Sequence, residues 1–522
     1  MPRNMNPAIL AGRLFITIAA LGTASAQTVL VKPYVQPGNG ATLDGTDVKV
    51  LTWLTDQKPG EFTVAYGLPG KPMRSAKPER VQLDFAPAKS KPAAKKPDAK
   101  TVPVDPAKNP AMSIQDINGI IVKETAPVIP EREQHFFRYR AELTALPFDS
   151  TIAYRVTLGA AIIREGTFKT RASAEKPIRF VAVGDLANGK PEQNAIAFQI
   201  SKQKPDFLVA LGDIVYSGGR VLQYMHHYWT TYNDVEKPGE KTGAPLMASV
   251  PFYPVIGNHD ADNAKLPDYP DAFAAYYFFS APKNGPGPGA WNTPLGKDAK
   301  AAAAFRAAAG AEYPALGEYS FDYGPAHFLC LDTNAYTTAE ALQPWVEKDL
   351  LASRQPWKFV CMHAPAFSTS PQHYSEQKIR LLEPVFEKCG VDVVFAGHVH
   401  NYQRSKPLRF APNPPKRDAR GRVNGDFTLD RKFDGITHTT PEGIIHIVSG
   451  GGGATLYKMD IAKTVAQLGK EAPANYQPFT EKFTADRHSF SVVELTSTTF
   501  ELRQIGIGGE EIDRFKITKA AK

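Results

Sequence analysis

Five apolar runs along the chain share one design. IRFVAV (178–183), DFLVAL (206–211), FYPVI (252–256), KFVCM (358–362) and DVVFA (392–396) each have the length of a buried strand, and each gives way at its carboxyl end to residues that carry chemistry. Helices are predicted over 192–202 and 376–388, so from about 177 the chain reads as α/β. Earlier positions follow another rhythm. Short alternating runs at 48–53, 62–66, 137–143, 152–157 and 166–169, with turn residues between them, predict an all-β module. Trp53 on an early strand would fill the space between two sheets, and Leu146-Pro147 ahead of Thr151 and Tyr154 is similar to the turn before a tyrosine corner. No internal repeat is present, and stretches at about 284–312 and 406–440 are expected to be surface loops.

Composition narrows the classes. The 522 residues are 43% hydrophobic, too many for wholesale disorder, while 44 prolines and 40 glycines exclude a helical bundle or coiled coil. A formal charge of +8 raises the question of acidic partners. Arg3 and Arg13, the apolar run 14–21 and the small residues Ala24-Ser25-Ala26 predict a secretory signal cleaved after Ala26. That run is well short of the ~20 apolar residues a membrane span needs. A periplasmic or secreted protein without a transmembrane segment is therefore expected. Removing the signal lowers the balance to +6, and the Lys/Pro/Ala-rich stretch 87–110 holds +4 of that, read as a solvated loop insertion. Nucleic-acid binding is not expected. Three cysteines are too few for a disulfide scaffold; one bridge among Cys330, Cys361 and Cys389 stays open, with Cys330 and Cys361 in apolar runs.

The strand ends collect Asp185, Asp213, Tyr216, Asn258, His363, His398 and His400. Two carboxylates, a phenol, an amide oxygen and three imidazoles suit two adjacent metal ions, one carboxylate bridging them. Singly, such residues are usually caps, turns or satisfied polar groups. Their order carries the weight: G-D, G-D-x-x-Y, G-N-H-D, M-H-A-P and G-H-x-H follow one another, each behind a predicted strand. If extended, His398 and His400 would share a face, with Val399 turned away.

These blocks resemble the metallophosphoesterase superfamily and, in detail, the purple acid phosphatases. The likeness rests on Gly184-Asp185, Gly212-Asp213-Ile214-Val215-Tyr216, Gly257-Asn258-His259-Asp260, His363 and Gly397-His398-Val399-His400 with Asn401 to Arg404, and covers about 177–505. Most metallophosphoesterases carry D-x-H in the first block; here Ala187 stands at the histidine's place and cannot ligate. Tyr216 would replace it, as in purple acid phosphatases, where a phenolate favours Fe(III). The implied fold is an α/β catalytic domain, a metallophosphoesterase-type β-sandwich flanked by helices, behind an all-β fibronectin- or immunoglobulin-like sandwich. Its divisions would be 1–26 (signal), 27–172 (sandwich, with the insertion at 87–110) and 173–522 (catalytic).

By the same resemblance, Fe(III) would take Asp185, Asp213, Tyr216 and His400. Zn, Mn or Fe(II) would take Asp213, Asn258, His363 and His398. A hydroxide held by the metals would attack a phosphate monoester in line. His259 would contact phosphate and assist the leaving group, and His373 and Arg404 are further substrate-contact candidates, Arg404 equally fitting a structural ion pair. The glycines at 450–453 lack the P-loop Lys-Ser/Thr and are expected to pack near the site as a tight turn. A phosphodiesterase on the same core is the alternative reading, and a non-catalytic surface binder the more distant one. Oligomeric state is not legible.

Overall fold

In the computed structural model, residues 28–89, 127, 129–262, 264–287 and 294–520 are described; the signal and residues 90–110 of the insertion lie outside them. The early alternation folds into two four-stranded antiparallel sheets. Val29–Pro37, Asp47–Thr55, Gln134–Leu146 and Glu79–Phe85 make one, and Arg74–Ala76, Phe62–Gly67, Thr151–Leu158 and Ala161–Lys169 the other. Trp53 is fully buried between them, stacked on Tyr139 at 5.3 Å between centroids and meeting Phe62 edge-on. Tyr154 does not make the expected corner. Its hydroxyl donates to the Ala248 carbonyl at 2.8 Å, tying the sandwich to the α/β region.

The first of these sheets is apolar on both faces. Its outer side chains, including Val31, Tyr34, Leu54 and Phe136, join the core of the α/β region. Tyr34 packs on Trp229 with centroids 4.6 Å apart and donates to the Phe278 carbonyl at 2.8 Å, and Arg138 donates to the Tyr277 carbonyl at 2.8 Å. At roughly 1.5–3 kcal/mol for each large side chain buried, this contact holds the two units together.

Two mixed sheets pack face to face in the α/β region. The six-stranded sheet runs Phe252–Pro254, Phe207–Ala210, Ile178–Val183, Ser489–Leu495, Thr499–Gly506, Glu511–Thr518. The seven-stranded one runs Tyr319–Tyr323, Ala326–Leu331, Trp357–Met362, Val393–Ala396, Ile445–Ser449, Tyr402–Ser405, Thr480–Thr484. Phe180 fills the seam, with Phe328 at 5.1 Å and Phe359 and Phe395 at 5.9 Å. The five runs singled out in the sequence are all parallel strands here, three in one sheet and two in the other. Helix Ala339–Ala352 sets Leu342, Val346 and Leu350 against the seven-stranded sheet, and helix Pro191–Gln203 buries Ile196 and Ile200.

Three segments differ from expectation. The helix expected at 376–388 is a 3₁₀ turn, Lys378–Leu382, followed by helix Glu383–Cys389; Pro384 stands in that helix's first turn, where a missing N–H is tolerated. Residues 372–375 form a turn instead, and 376–377 link it to the 3₁₀ segment. The stretch at 284–312 contains helix Ala299–Ala309, capped by Asp298, whose Phe305 packs on Phe273 at 5.5 Å. The stretch at 406–440 contains the hairpin Leu408–Pro412/Gly425–Leu429. Cys330 and Cys361 pair in register on adjacent strands, and all three cysteines are free, buried thiols.

Candidate metal centre

Backbone pairing continues past the strand ends and sets the first candidate ligands. Asp185 N–H donates to Gly212 O at 3.0 Å, Leu186 N–H to Asp213 O at 3.0 Å, and Tyr216 N–H to Ala187 O at 2.8 Å. The residue that cannot ligate therefore anchors the one proposed to replace it. Asp185, Asp213 and His398 have φ of +61°, +48° and +67°, a region that costs a non-glycine residue about 1–3 kcal/mol. Segment 397–401 is not extended. Val399 N–H donates to Gly397 O at 2.7 Å and Asn401 N–H to Val399 O at 2.6 Å, so two successive tight turns send His398 and His400 to different ligand sets, with Val399 buried beneath.

Close approach demands glycine around these turns. A Cβ on Gly212 would collide with the His363 ring. At 450–453 the run touches Asp185, Ser489, Gly184 and Leu186 in turn, so no side chain fits there, in agreement with the expected tight turn.

The side chains form two sets that share Asp213. In the first, the Tyr216 hydroxyl lies 2.9 Å from Asp185 Oδ1, 3.0 Å from Asp213 Oδ2 and 3.1 Å from His400 Nε2. In the second, His363 Nε2 lies 3.1 Å from Asn258 Oδ1, 3.2 Å from Asp213 Oδ1 and 3.1 Å from His398 Nδ1. The ring nitrogens turned away from the site have acceptors. His363 Nδ1–H donates to Leu211 O at 2.7 Å, His400 Nδ1–H to Thr455 O at 2.7 Å, and His398 Nε2–H to Glu376 Oε2 at 3.0 Å. That fixes the tautomers, and the facing nitrogens of His363 and His398 meet lone pair to lone pair. Only a proton or a cation relieves such a contact, and the oxygen and nitrogen donors of both sets suit a metal.

Without metal, burial disfavours charge on His363, but Asp213 outweighs it and holds the ring up at about 10. Burial and His373 lower His398 to about 4. Burial and Asp213 push Asp260 up to about 7, where it accepts Gly257 and Ile214 N–H groups and fixes the loop beneath the site.

His259 and His373 also reach the site. His259 N–H donates to Asp213 Oδ1 at 2.7 Å and its Nδ1–H to Ser217 O at 2.8 Å. The His373 ring lies tilted against that of His398, centroids 3.8 Å apart, and pairs with Glu376 at 2.8 Å. Arg404 is not brought there. Its guanidinium is buried against Asp513, with Nε–Oδ2 at 2.7 Å, because strand Tyr402–Ser405 turns this side chain away from the ligands. Three neighbours were missed: Glu376, expected inside a helix; Tyr457, stacked on His400 at 4.1 Å; and Arg417, from the polar insertion. None carries a local signal beyond its polarity.

Residues 178–402 match the model of the calcineurin-like phosphoesterase family. An uncharacterized protein of Mycobacterium tuberculosis is 26% identical over 377 residues, covering 64% of this chain and 62% of its own length. Fe(3+)-Zn(2+) purple acid phosphatase 12 of Arabidopsis thaliana is 25% identical over 327 residues, covering 55% and 62%. The chain thus matches less than two thirds of the length of these relatives. Among solved structures, the purple acid phosphatase PPD1 from yellow lupin (Lupinus luteus) seeds has a similar fold, with a TM-score of 0.58 and 16% identity over 93% of this chain and 74% of that one.

Proposed function

We propose that the chain, whose residues 178–402 match the model of the calcineurin-like phosphoesterase family, is a dimetal phosphate-monoester hydrolase of the purple acid phosphatase type. What supports this reading above all is the meeting of seven donor side chains in two sets around Asp213. Asp185, Asp213, Tyr216 and His400 would hold the first ion, expected to be Fe(III), and Asp213, Asn258, His363 and His398 the second, expected to be Zn, Mn or Fe(II). Two such cations supply charge neutralisation for a phosphoryl group and acidify water.

The chain's own groups do the rest. Tyr216 offers a phenolate where Ala187 offers nothing, and Asp213 keeps both sets in register. Ser217 holds the His259 ring through Nδ1, leaving Nε2 toward the cleft. Burial opposes charge on His259, but Asp213 and the Ser217 carbonyl raise its pKa, so Nε2–H is available to a phosphoryl oxygen or departing alkoxide. His373, oriented by Glu376, would be a second substrate contact. We also read residues 1–26 as a cleaved signal, giving a periplasmic or secreted enzyme, and the amino-terminal sandwich as fibronectin type III-like. No helix among the described residues is long and apolar enough to cross a membrane.

The test is hydrolysis of an aryl phosphate and a bis-aryl phosphate by protein carrying two metals per chain, one of them iron. The monoester should react with the higher kcat/KM. The reverse order assigns a phosphodiesterase, and no turnover of either overturns the enzymatic reading.

A further inference from the structure

Beside the second ligand set lies a cavity of about 390 Å³, lined by Asn258, His363 and His398 and also by Lys378, Ile379 and Arg417. At ~30 Å³ per water, that is room for about a dozen water-sized groups, more than a phosphoryl group needs. Lys378 Nζ donates to Asn334 O and to both oxygens of Thr337, the latter at 2.8 and 2.7 Å, and makes no carboxylate ion pair among the described residues. Arg417, among the described residues, makes neither an ion pair nor a side-chain hydrogen bond. The cavity's carboxylate, Glu376, is taken up by His373 and His398. Beyond the ligands and the Glu376–His373 pair, the charged groups left in the lining are the cations Lys378 and Arg417.

The loop carrying Arg417 is held down. Asp418 Oδ1 accepts the N–H groups of Arg420 and Arg422 at 2.8 and 2.9 Å, and Val423 N–H donates to Gln377 Oε1 at 3.0 Å. Gly421, at φ +82°, lies so close to Ser375 that a Cβ would sit 2.7 Å from the Ser375 carbonyl and 3.0 Å from the Arg417 guanidinium. The arginine is thus posed over the turn that leads to Glu376. A guanidinium with no ion-pair partner among the described residues, on an anchored loop at a cavity larger than one phosphoryl group, suits a bidentate anion.

We propose that Arg417, in the field of Lys378, is a specificity determinant that takes a second anionic group of the substrate. The favoured substrates are then phosphate esters or anhydrides bearing a further phosphate or carboxylate. This rests on the phosphatase reading of the neighbouring ligands. In metal-loaded protein, kcat/KM is compared for pyrophosphate, phosphoglycolate and 4-nitrophenyl phosphate, and binding for pyrophosphate against orthophosphate. Arg417→Gln should lower kcat/KM on the two-anion substrates about tenfold more than on the aryl ester, through KM, and weaken pyrophosphate about tenfold relative to orthophosphate. Arg417→Lys should restore part of both, and Arg420→Gln on the same loop should not change the ratios. The two substrates distinguish a phosphate from a carboxylate preference. Hydrolysis with equal losses on all substrates overturns the subsite and leaves the phosphatase reading intact. If no ester is hydrolysed, an Arg417-dependent preference for bound pyrophosphate keeps the subsite, and its absence overturns both.

Discussion

The two candidate ligand sets differ in what surrounds them. The tyrosine set, Asp185, Tyr216 and His400, is enclosed: its members are buried, Tyr457 stacks on His400, and the backbone of 185–187 pairs with that of 212–216. The histidine set, Asn258, His363 and His398, lines an open cavity and leans on Glu376, whose side chain is half exposed. One set is built to hold, the other to exchange with what enters. Asp213 belongs to both.

The largest effect should come from the shared group. Asp213→Asn is expected to lower kcat by ~10³-fold, several kcal/mol at ~1.4 kcal/mol per decade, with both metals weakened in elemental analysis. Retention of one full equivalent would mean that the sets are independent. Tyr216→Phe should abolish the visible charge-transfer band that an Fe(III)–phenolate pair would give, and cut iron occupancy, with the second metal retained. A colourless, fully active, iron-free wild type would remove the distinction between the sets while leaving a dimetal hydrolase in place. Glu376→Gln should weaken the second metal by about 10–100-fold in a titration and leave the first unchanged, since it removes the charged acceptor that orients His398. Equal weakening of both would break the contrast.

The smallest effect on the site should come from the scaffold. His327 is buried between Asp322 and Asp349, each at 2.8 Å; burial disfavours its charge, but the two carboxylates raise it to about 9. Its folded pKa exceeds the unfolded value of about 6.5, so its contribution is complete below that pH and is lost as pH rises through about 9. Urea midpoints should fall across this window, and His327→Gln should flatten that fall without changing metal content.

The contrast between the sets also explains what could be read from the chain. The meeting of seven candidate ligands was legible because parallel strands deliver their carboxyl ends to one edge, so a short glycine-linked motif behind each apolar run implies a location. Arg404 was misleading because it follows the ligands in sequence while its strand carries it to Asp513. Glu376 was hidden inside an apparent helix that begins only after it. Arg417 sits in a polar stretch without periodicity, and only the fold of the hairpin takes it to the cavity. Contacts made by irregular backbone leave no pattern to read.

The glycine run at 450–453 has a consequence for anyone ranking positions by tolerance. Each of its members meets the 184–186 segment, Val399 or Ser489 too closely for any side chain. In a saturation library selected for phosphatase activity, these four positions should be as depleted of variants as Asp213, although none has a side chain to offer substrate or metal. Depletion alone would misassign them to the chemistry; metal content and ester turnover measured on the survivors separate a crowded hinge from a working group.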